Sequence, residues 1–184
     1  MNHLKNLEDI ERLYAARGEL HYGEGVTQME HALQCAALAE EEGCPPSLVI
    51  AALLHDVGHL FEKDETLAEA GVDDRHEAAG AGALAGIFAE SVWRPIALHV
   101  AAKRYLCLVE PHYLAALSQA SQRSLVLQGG PFHQAQALAF QRAPFWQEAV
   151  QLRRFDDMGK RDENSGRDFS SYLPMMRGLL SPPG

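Results

Sequence analysis

The chain has 184 residues, 47% hydrophobic and 22% charged. That is enough apolar content to bury a core and too much for disorder as the main state. Sixteen Lys and Arg against 25 Asp and Glu leave a formal charge of −9. This balance excludes a reader of nucleic-acid backbones and a membrane-surface protein that works by basic attraction. One domain over 1–184 is expected at this length. Three cysteines, at 35, 44 and 107, show no paired spacing for a disulfide framework or structural zinc. The first 19 residues mix charges with no signal-peptide core. No run approaches the roughly 18 apolar residues of a membrane helix. A reduced, soluble, cytoplasmic protein is the expectation.

Helical signals dominate. Leu7, Ile10, Leu13 and Tyr14 recur at three- and four-residue spacing and predict a first short helix. Gly18 and Gly23-Glu24-Gly25 break it. Thr27-Gln28-Met29-Glu30 reads as a capping box, with Glu30 reaching back to Thr27. The helix it opens ends near Gly43. After the rigid Cys44-Pro45-Pro46 connector, Ser47 is expected to cap the nearly continuous apolar run 48–54. The Ala51-Ala52 pair and helical surroundings favour a buried helix there over a strand. Asp74 and Glu77 mark another helix start, ahead of an Ala- and Gly-rich stretch at 78–86 that lets backbones come close. Ser91 opens a fifth helix through Trp93, Ile96 and Val100. Later helices are expected over 113–117, 122–127, 133–142 and 144–158, the last with Pro144 at its first position. Gly129-Gly130-Pro131 is a turn, and polar 159–168 is expected to be a mobile loop. No useful β-alternation, repeat or linker is evident. The reading is a single all-α bundle.

Nine histidines need an explanation. His55-Asp56 follows directly on the apolar run, where ionisable groups are costly to bury unless paired or metal-bound. Taken alone, the pair fits an ordinary hydrogen bond as well as a metal site. Imidazole nitrogen with carboxylate oxygen suits zinc, manganese or iron. The wider spacing favours metal. His31 lies 24 residues before His55, and His76 lies 20 after Asp56. His99 follows 23 after His76, at the predicted end of a helix, and Asp156 57 after His99. Each sits on a different predicted helix, and a bundle core can gather such side chains. Six donors, four of them His, make two metals the natural count.

His31, His55-Asp56 and Asp156 resemble the H…HD…D signature of the HD-domain superfamily, and His76 with His99 match its bimetallic branch. Segments 29–35, 51–59, 99–106 and 128–131 are similar to one group within that branch, the PhnZ/TmpB-type mixed-valent di-iron oxygenases. These cleave the carbon–phosphorus bond of 1-hydroxyphosphonates. The His-Asp pair is common to many hydrolases. The stretch from His99 to Leu106, with the Gly-Gly-Pro turn, is far more specific. The likeness runs from about residue 18 to 160.

The resemblance implies an HD-domain helical bundle with a di-metal site in its core. It implies that His31, His55, Asp56, His76, His99 and Asp156 hold two irons, Fe(II) and Fe(III), with Asp56 bridging, and that dioxygen is the co-substrate. His59, Lys103 and Arg153, with Ser121, would hold the phosphonate of a small organophosphonate, since a dianion needs cations and donors. Glu24 would meet the substrate's amine. Lys103 and Arg153 taken separately read as solvated surface charges, though Lys103 lies one turn past His99. Ser121 equally reads as a helix N-cap. An aminoethyl substrate would give glycine and phosphate; a trimethylated one, glycine betaine and phosphate. The leading alternative is a metal-dependent HD phosphohydrolase acting on a phosphate ester. A monomer or weak homodimer, without nucleic-acid or membrane partners, is expected.

The chain departs from the group's Tyr-Ile-Gly-Glu loop, reading His21-Tyr22-Gly23-Glu24. His21 takes the place of the tyrosine that caps one iron before substrate arrives. Either His21 serves as that provisional ligand, or Tyr22 swings in by another loop path, or neither touches iron. Tyr22 and Tyr105 are also candidate walls for a cationic tail. Cys35, four after His31, reads as a buried small hydrophobe, as does Cys107. His3, His112 and His133 have no matching role.

Overall fold

The computed structural model describes residues 4–21, 25–61, 73, 75–162 and 164–182. Among these residues it is all-α, with ten helices and only an isolated antiparallel bridge between Phe88 and Leu180. No described helix is long and apolar enough to cross a membrane.

Helix α1 (Leu7–Arg17) opens on Asn6, whose side chain accepts from the Asp9 N–H, and buries Leu7, Ile10 and Tyr14. The Tyr14 hydroxyl donates to the Leu53 carbonyl, 3.0 Å away. Helix α2 (Gln28–Glu41) is capped by Thr27, which accepts from Glu30 N–H as expected. The reciprocal half of the capping box is absent from the described bonds. The Glu30 carboxylate instead accepts from Gln34 and from the Ser165 N–H, which ties segment 161–165 to α2. Helix α3 (Pro46–Leu54) buries every residue of the 48–54 run. Its N-cap is Pro45, not Ser47, because Pro46 already supplies the fixed φ of a first helical residue.

A 3₁₀ turn (Val57–Phe61) follows. Helix α4 (His76–Leu84) starts after Arg75, at φ 50°; Asp74 lies outside the described residues. The small residues act as expected. A Cβ on Gly58 would stand 2.0 Å from the His76 carbonyl oxygen, and one on Gly80 would stand 3.0 Å from Val57. Contact that close between the turn and α4 requires glycine at 58.

Helix α5 (Glu90–Val109) is twice the expected length. The strong helix formers Ala101, Ala102, Lys103, Arg104 and Leu106 carry it on past Val100. His99 is therefore mid-helix, not terminal. Helices α6 (Tyr113–Ala116), α7 (Gln119–Leu127) and α8 (Gln134–Phe140) form a cover beside α5. Ser118 caps α7 by accepting from Ser121 N–H, so Ser121 is not the N-cap and its hydroxyl is available to the interior. His133 caps α8 with a full capping box. Helix α9 (Trp146–Met158) starts two residues after Pro144, because Phe145 adopts a left-handed conformation at φ 65°. A second 3₁₀ turn (Phe169–Tyr172) and α10 (Leu173–Arg177), neither foreseen, close the core against α1 and α3. The main core is built on α3; a smaller cluster gathers Tyr105, Leu106, Phe140 and Ala149. Helices α2, α3, α4, α5 and α9 meet around one interior point, where the polar side chains converge.

Candidate metal centre

His31 comes from α2, His55 from the end of α3, and Asp56 from the turn after it. His76 opens α4, His99 sits midway along α5, and Asp156 lies in the last turn of α9. The structure brings all six together. The Nε2 atoms of His31 and His55 are 3.2 Å apart, and so are those of His76 and His99. Asp56 stands between the pairs. Its Oδ1 is 3.4 Å from His55 Nε2, 3.6 Å from His76 Nε2 and 3.7 Å from His99 Nε2, while Oδ2 is 3.6 Å from His31 Nε2. Asp156 Oδ1 is 3.5 Å from His31 Nε2 and 4.0 Å from His55 Nε2.

Backbone carbonyls orient three of the rings. His31 Nδ1 donates to Gly159 O at 2.6 Å, His55 Nδ1 to Ala52 O at 2.8 Å, and His99 Nδ1 to Ile96 O at 2.7 Å. A carbonyl only accepts, so each Nδ1 carries the hydrogen and each Nε2 turns a lone pair inward. Two lone pairs facing at 3.2 Å repel unless a cation or a proton lies between them. Donors about 2.1 Å from a common ion and roughly 90–120° apart stand about 3.0–3.6 Å from each other. Most of the observed spacings fall in that range; His99–Asp56 at 3.7 Å and His55–Asp156 at 4.0 Å lie just beyond it. The donor set therefore fits two metal ions, with Asp56 in reach of both.

Electrostatics agree for most of the donors; at His31 burial lowers the pKa, but Cys35 and Asp156 outweigh it and raise it well above the ordinary value. Burial opposes the Asp56 carboxylate, yet His55, His59 and His76 around it hold its pKa far below the ordinary value. Burial also opposes charge on Asp156, which Arg153 and Lys160 outweigh. Burial, first of all, pushes His55 and His99 down toward the neutral form that a metal takes.

A cluster of cationic side chains adjoins this centre. Lys103 and Arg153 are only 2% and 3% exposed, which overturns the solvated-surface reading of each. Lys103 Nζ donates to Ser124 Oγ at 2.8 Å. Arg153 donates to Ser121 Oγ at 3.3 Å and to Asp156 Oδ2 at 2.6 Å. Lys160 Nζ reaches Ser121 Oγ at 3.2 Å and Asp156 Oδ1 at 3.3 Å. Two cations thus share the Ser121 hydroxyl, and a third, Lys103, bonds the hydroxyl of Ser124 on the same helix. Burial and then Arg153 press the Lys103 pKa down to about 7. The sequence reading missed Lys160 and Ser124. The signal for Lys160 was its place four residues after Asp156, one turn on.

The HD-domain family model matches residues 29–124. The chain belongs to the HD-domain family. Among similar proteins is the [1-hydroxy-2-(trimethylamino)ethyl]phosphonate dioxygenase (glycine-betaine-forming) of Leisingera caerulea, 38% identical over 182 residues, covering 95% of this chain and 90% of the relative. The hydroxymethylphosphonate dioxygenase of Gimesia maris is 48% identical over 148 residues, covering 78% of this chain and 72% of the relative. An uncharacterized protein, L432, of Acanthamoeba polyphaga mimivirus is 33% identical over 182 residues, covering 97% and 83%. The resemblance to the phosphonate-oxygenase branch of HD proteins is therefore real.

The remaining candidates of this HD-domain protein are placed as follows. His59 stacks on His76 with ring centroids 3.9 Å apart, beside the donors. His21 is exposed and is not among the clustered donors. Tyr22 and Glu24 lie outside the described residues. Tyr105 packs against Phe140 and Trp146 and accepts from Gln141, so it belongs to the smaller core and not to a wall of the site. Cys35 Sγ lies 3.7 Å from His31 Nδ1 but donates to the Phe155 carbonyl at 3.3 Å.

Proposed function

We propose that this HD-domain enzyme is an iron-dependent oxygenase that uses O2 to cleave the carbon–phosphorus bond of a 1-hydroxyphosphonate. The single observation that carries the reading is Asp156. One of its oxygens faces the His31–His55 donors, and the other lies against Arg153 in the anion cluster. A donor cage and a buried cationic cluster thus share one carboxylate. Both named relatives act on phosphonates with a hydroxyl on the carbon next to phosphorus. The balanced reaction is R–CH(OH)–PO₃²⁻ + O₂ → R–COO⁻ + HPO₄²⁻ + H⁺.

His31, His55, Asp56 and Asp156 would hold one iron, and Asp56, His76 and His99 the other. A mixed-valent pair, when bound, supplies dioxygen activation and a Lewis acid for the substrate's oxygens. The chain's own part is placement. Lys103, Arg153, Ser121 and Lys160 hold the phosphonate, and His59 adds a donor from the turn after Asp56. Burial makes each charged contact stronger than it would be in water. The substrate's reactive carbon is thereby fixed beside the metals, where orientation supplies much of the rate.

For the tail we favour a 2-ammonio or 2-trimethylammonio group met by Glu24, giving glycine or glycine betaine, by analogy with the Leisingera relative. A second reading rests on the Gimesia relative: hydroxymethylphosphonate, giving formate. The three free cysteines suit a cytoplasmic enzyme, working as a monomer or weak homodimer.

The test is phosphate release by iron-loaded protein from 1-hydroxy-2-aminoethylphosphonate, its trimethylated form and hydroxymethylphosphonate, with and without oxygen. Oxygen-dependent release from at least one is expected. Equal release under argon would sink the oxygenase reading. Turnover of none of them, with phosphomonoester hydrolysis under manganese, would favour the hydrolase.

A further inference from the structure

We infer that Tyr113 and Asp157 form a clamp that positions Arg153 for the substrate's phosphonate; the inference rests on the anion-site reading above. Arg153 is buried on α9, and each of its three guanidinium nitrogens has a partner. Nε donates to the Tyr113 hydroxyl at 3.1 Å. One terminal nitrogen meets Asp156 Oδ2 at 2.6 Å. The other meets both the Asp157 carboxylate and Ser121 Oγ, the latter at 3.3 Å. Tyr113 in turn donates its hydroxyl proton to the second oxygen of Asp157. Tyr113, Asp157 and Arg153 therefore close a three-membered ring of bonds, and Asp156 and Ser121 lie on its open side.

The ring solves a problem that the sequence order creates. Asp156 and Asp157 follow Arg153 by three and four residues, so both reach it on one helix face. Asp156 has a second task at the metal donors. An arginine with Asp156 as its only anion would draw that carboxylate toward itself. Asp157 takes up half of the guanidinium, and Tyr113 fixes the plane in which it lies. An arginine fork recognises a phosphonate by planar, paired bonds, so its plane decides how well it binds.

Tyr113 comes from the cover, on the four-residue α6, which buries no side chain fully. Its hydroxyl is one of two polar ties from this stretch to α9; the other joins Glu110 to Arg154 at the surface. The half-buried phenol packs against the smaller core, and its bonds to Asp157 and Arg153 fix where the hydroxyl sits. Burial, foremost, raises the Tyr113 pKa, so the hydroxyl stays protonated and able to donate. The clamp is a positioning device: neither residue touches the metals in this account.

The experiment measures inorganic phosphate binding to the iron-loaded enzyme under argon by calorimetry, in wild type, Tyr113→Phe, Asp157→Asn and Asp157→Glu. The same four proteins are assayed for KM and kcat on whichever phosphonate the wild type turns over. Tyr113→Phe is expected to weaken phosphate binding about tenfold and raise KM about as much, with kcat within threefold and two irons retained. Asp157→Asn should weaken binding more, and Asp157→Glu should recover most of it. Phosphate affinity and KM within twofold of wild type in both Tyr113→Phe and Asp157→Asn would overturn the inference. Loss of kcat with KM unchanged would overturn it too, since that is not an anion-positioning effect. Failure of the wild type to turn over any phosphonate strikes the proposed function instead, and the phosphate affinities still decide the clamp.

Discussion

The Nδ1–H of His31 donates to the carbonyl of Gly159 across 2.6 Å, joining the second helix to the residue that ends the ninth. This bond turns the His31 Nε2 toward His55 and Asp156. It depends on Gly159 lying hard against α2. A Cβ there would stand 2.5 Å from Cys35 Sγ and 3.1 Å from the Phe155 carbonyl. Gly159→Ala must push the carbonyl away from His31. Loss of such an outer partner weakens metal binding roughly 10- to 100-fold. A competitive iron titration checks this; wild-type affinity in the alanine variant would show that His31 is oriented by other means.

Cys35 tests the boundary of the donor set. Its sulfur lies near both nitrogens of His31, so distance alone would admit it as a ligand. Burial, first, pushes its pKa up, and its S–H donates to the Phe155 carbonyl. A protonated thiol bonded to backbone is packing, not ligation. Cys35→Ala is expected to keep two irons per chain and to lose about 1 kcal/mol of stability for the vacated volume. Iron content with a thermal melt decides it. A drop to one iron would make Cys35 a ligand.

What was legible in the sequence follows from what is local. The 48–54 run is apolar on every side, as a fully buried helix or strand would be; Ala51-Ala52 and the helical surroundings favour the helix, and α3 is such a helix. The six donors could be read because their chemistry is costly to bury without a purpose. Boundaries depended on details that periodicity does not carry. Phe145 in the left-handed region delays α9, and the span of α5 past Val100 hides behind the expectation of a shorter helix. Tyr113 and Asp157 were illegible as parts of the site, and Lys160 was marked only by its spacing from Asp156. Each reads as an ordinary surface residue until α9 turns it inward against α5 and the cover. Only the packing reveals Arg153 and Lys160 on Ser121 and Lys103 on Ser124.

Lys103 gives the enzyme a pH limit. Its pKa, pressed down to about 7 by burial and by Arg153, means that its ammonium is lost as pH rises through that value. Lys160 adds to the pressure, while Asp156 and Asp157 on the same helix oppose it. On the proposed function the charged form is the one that would bind the phosphonate, so affinity should be full well below pH 7 and fall as pH rises through it. Bound dianion favours the ammonium, so saturating substrate moves the fall to higher pH. KM measured from pH 6 to 9 should rise across the upper half of that range. Lys103→Arg stays charged throughout and should flatten the rise. A profile unchanged by that substitution would assign the titration to another group.

Asp56 and Asp156 make unequal contributions to the centre, and their variants should separate. Asp56 offers one oxygen to His55, His76 and His99 and the other to His31, so it touches both donor groups. Asp156 lies within 4.0 Å of His31 and His55. Removing a carboxylate that two ions share leaves two buried cations with less compensation, a loss that neutral imidazoles cannot offset. Asp56→Ala should therefore load fewer than one iron per chain. Asp156→Ala should retain the ion held by His76 and His99 and lose the other. Iron content by mass spectrometry, with spectroscopy to tell one iron from a coupled pair, distinguishes these outcomes. Equal iron loss in the two variants would mean that the sites fill only together. Two irons retained in Asp56→Ala would remove the bridge from the centre altogether.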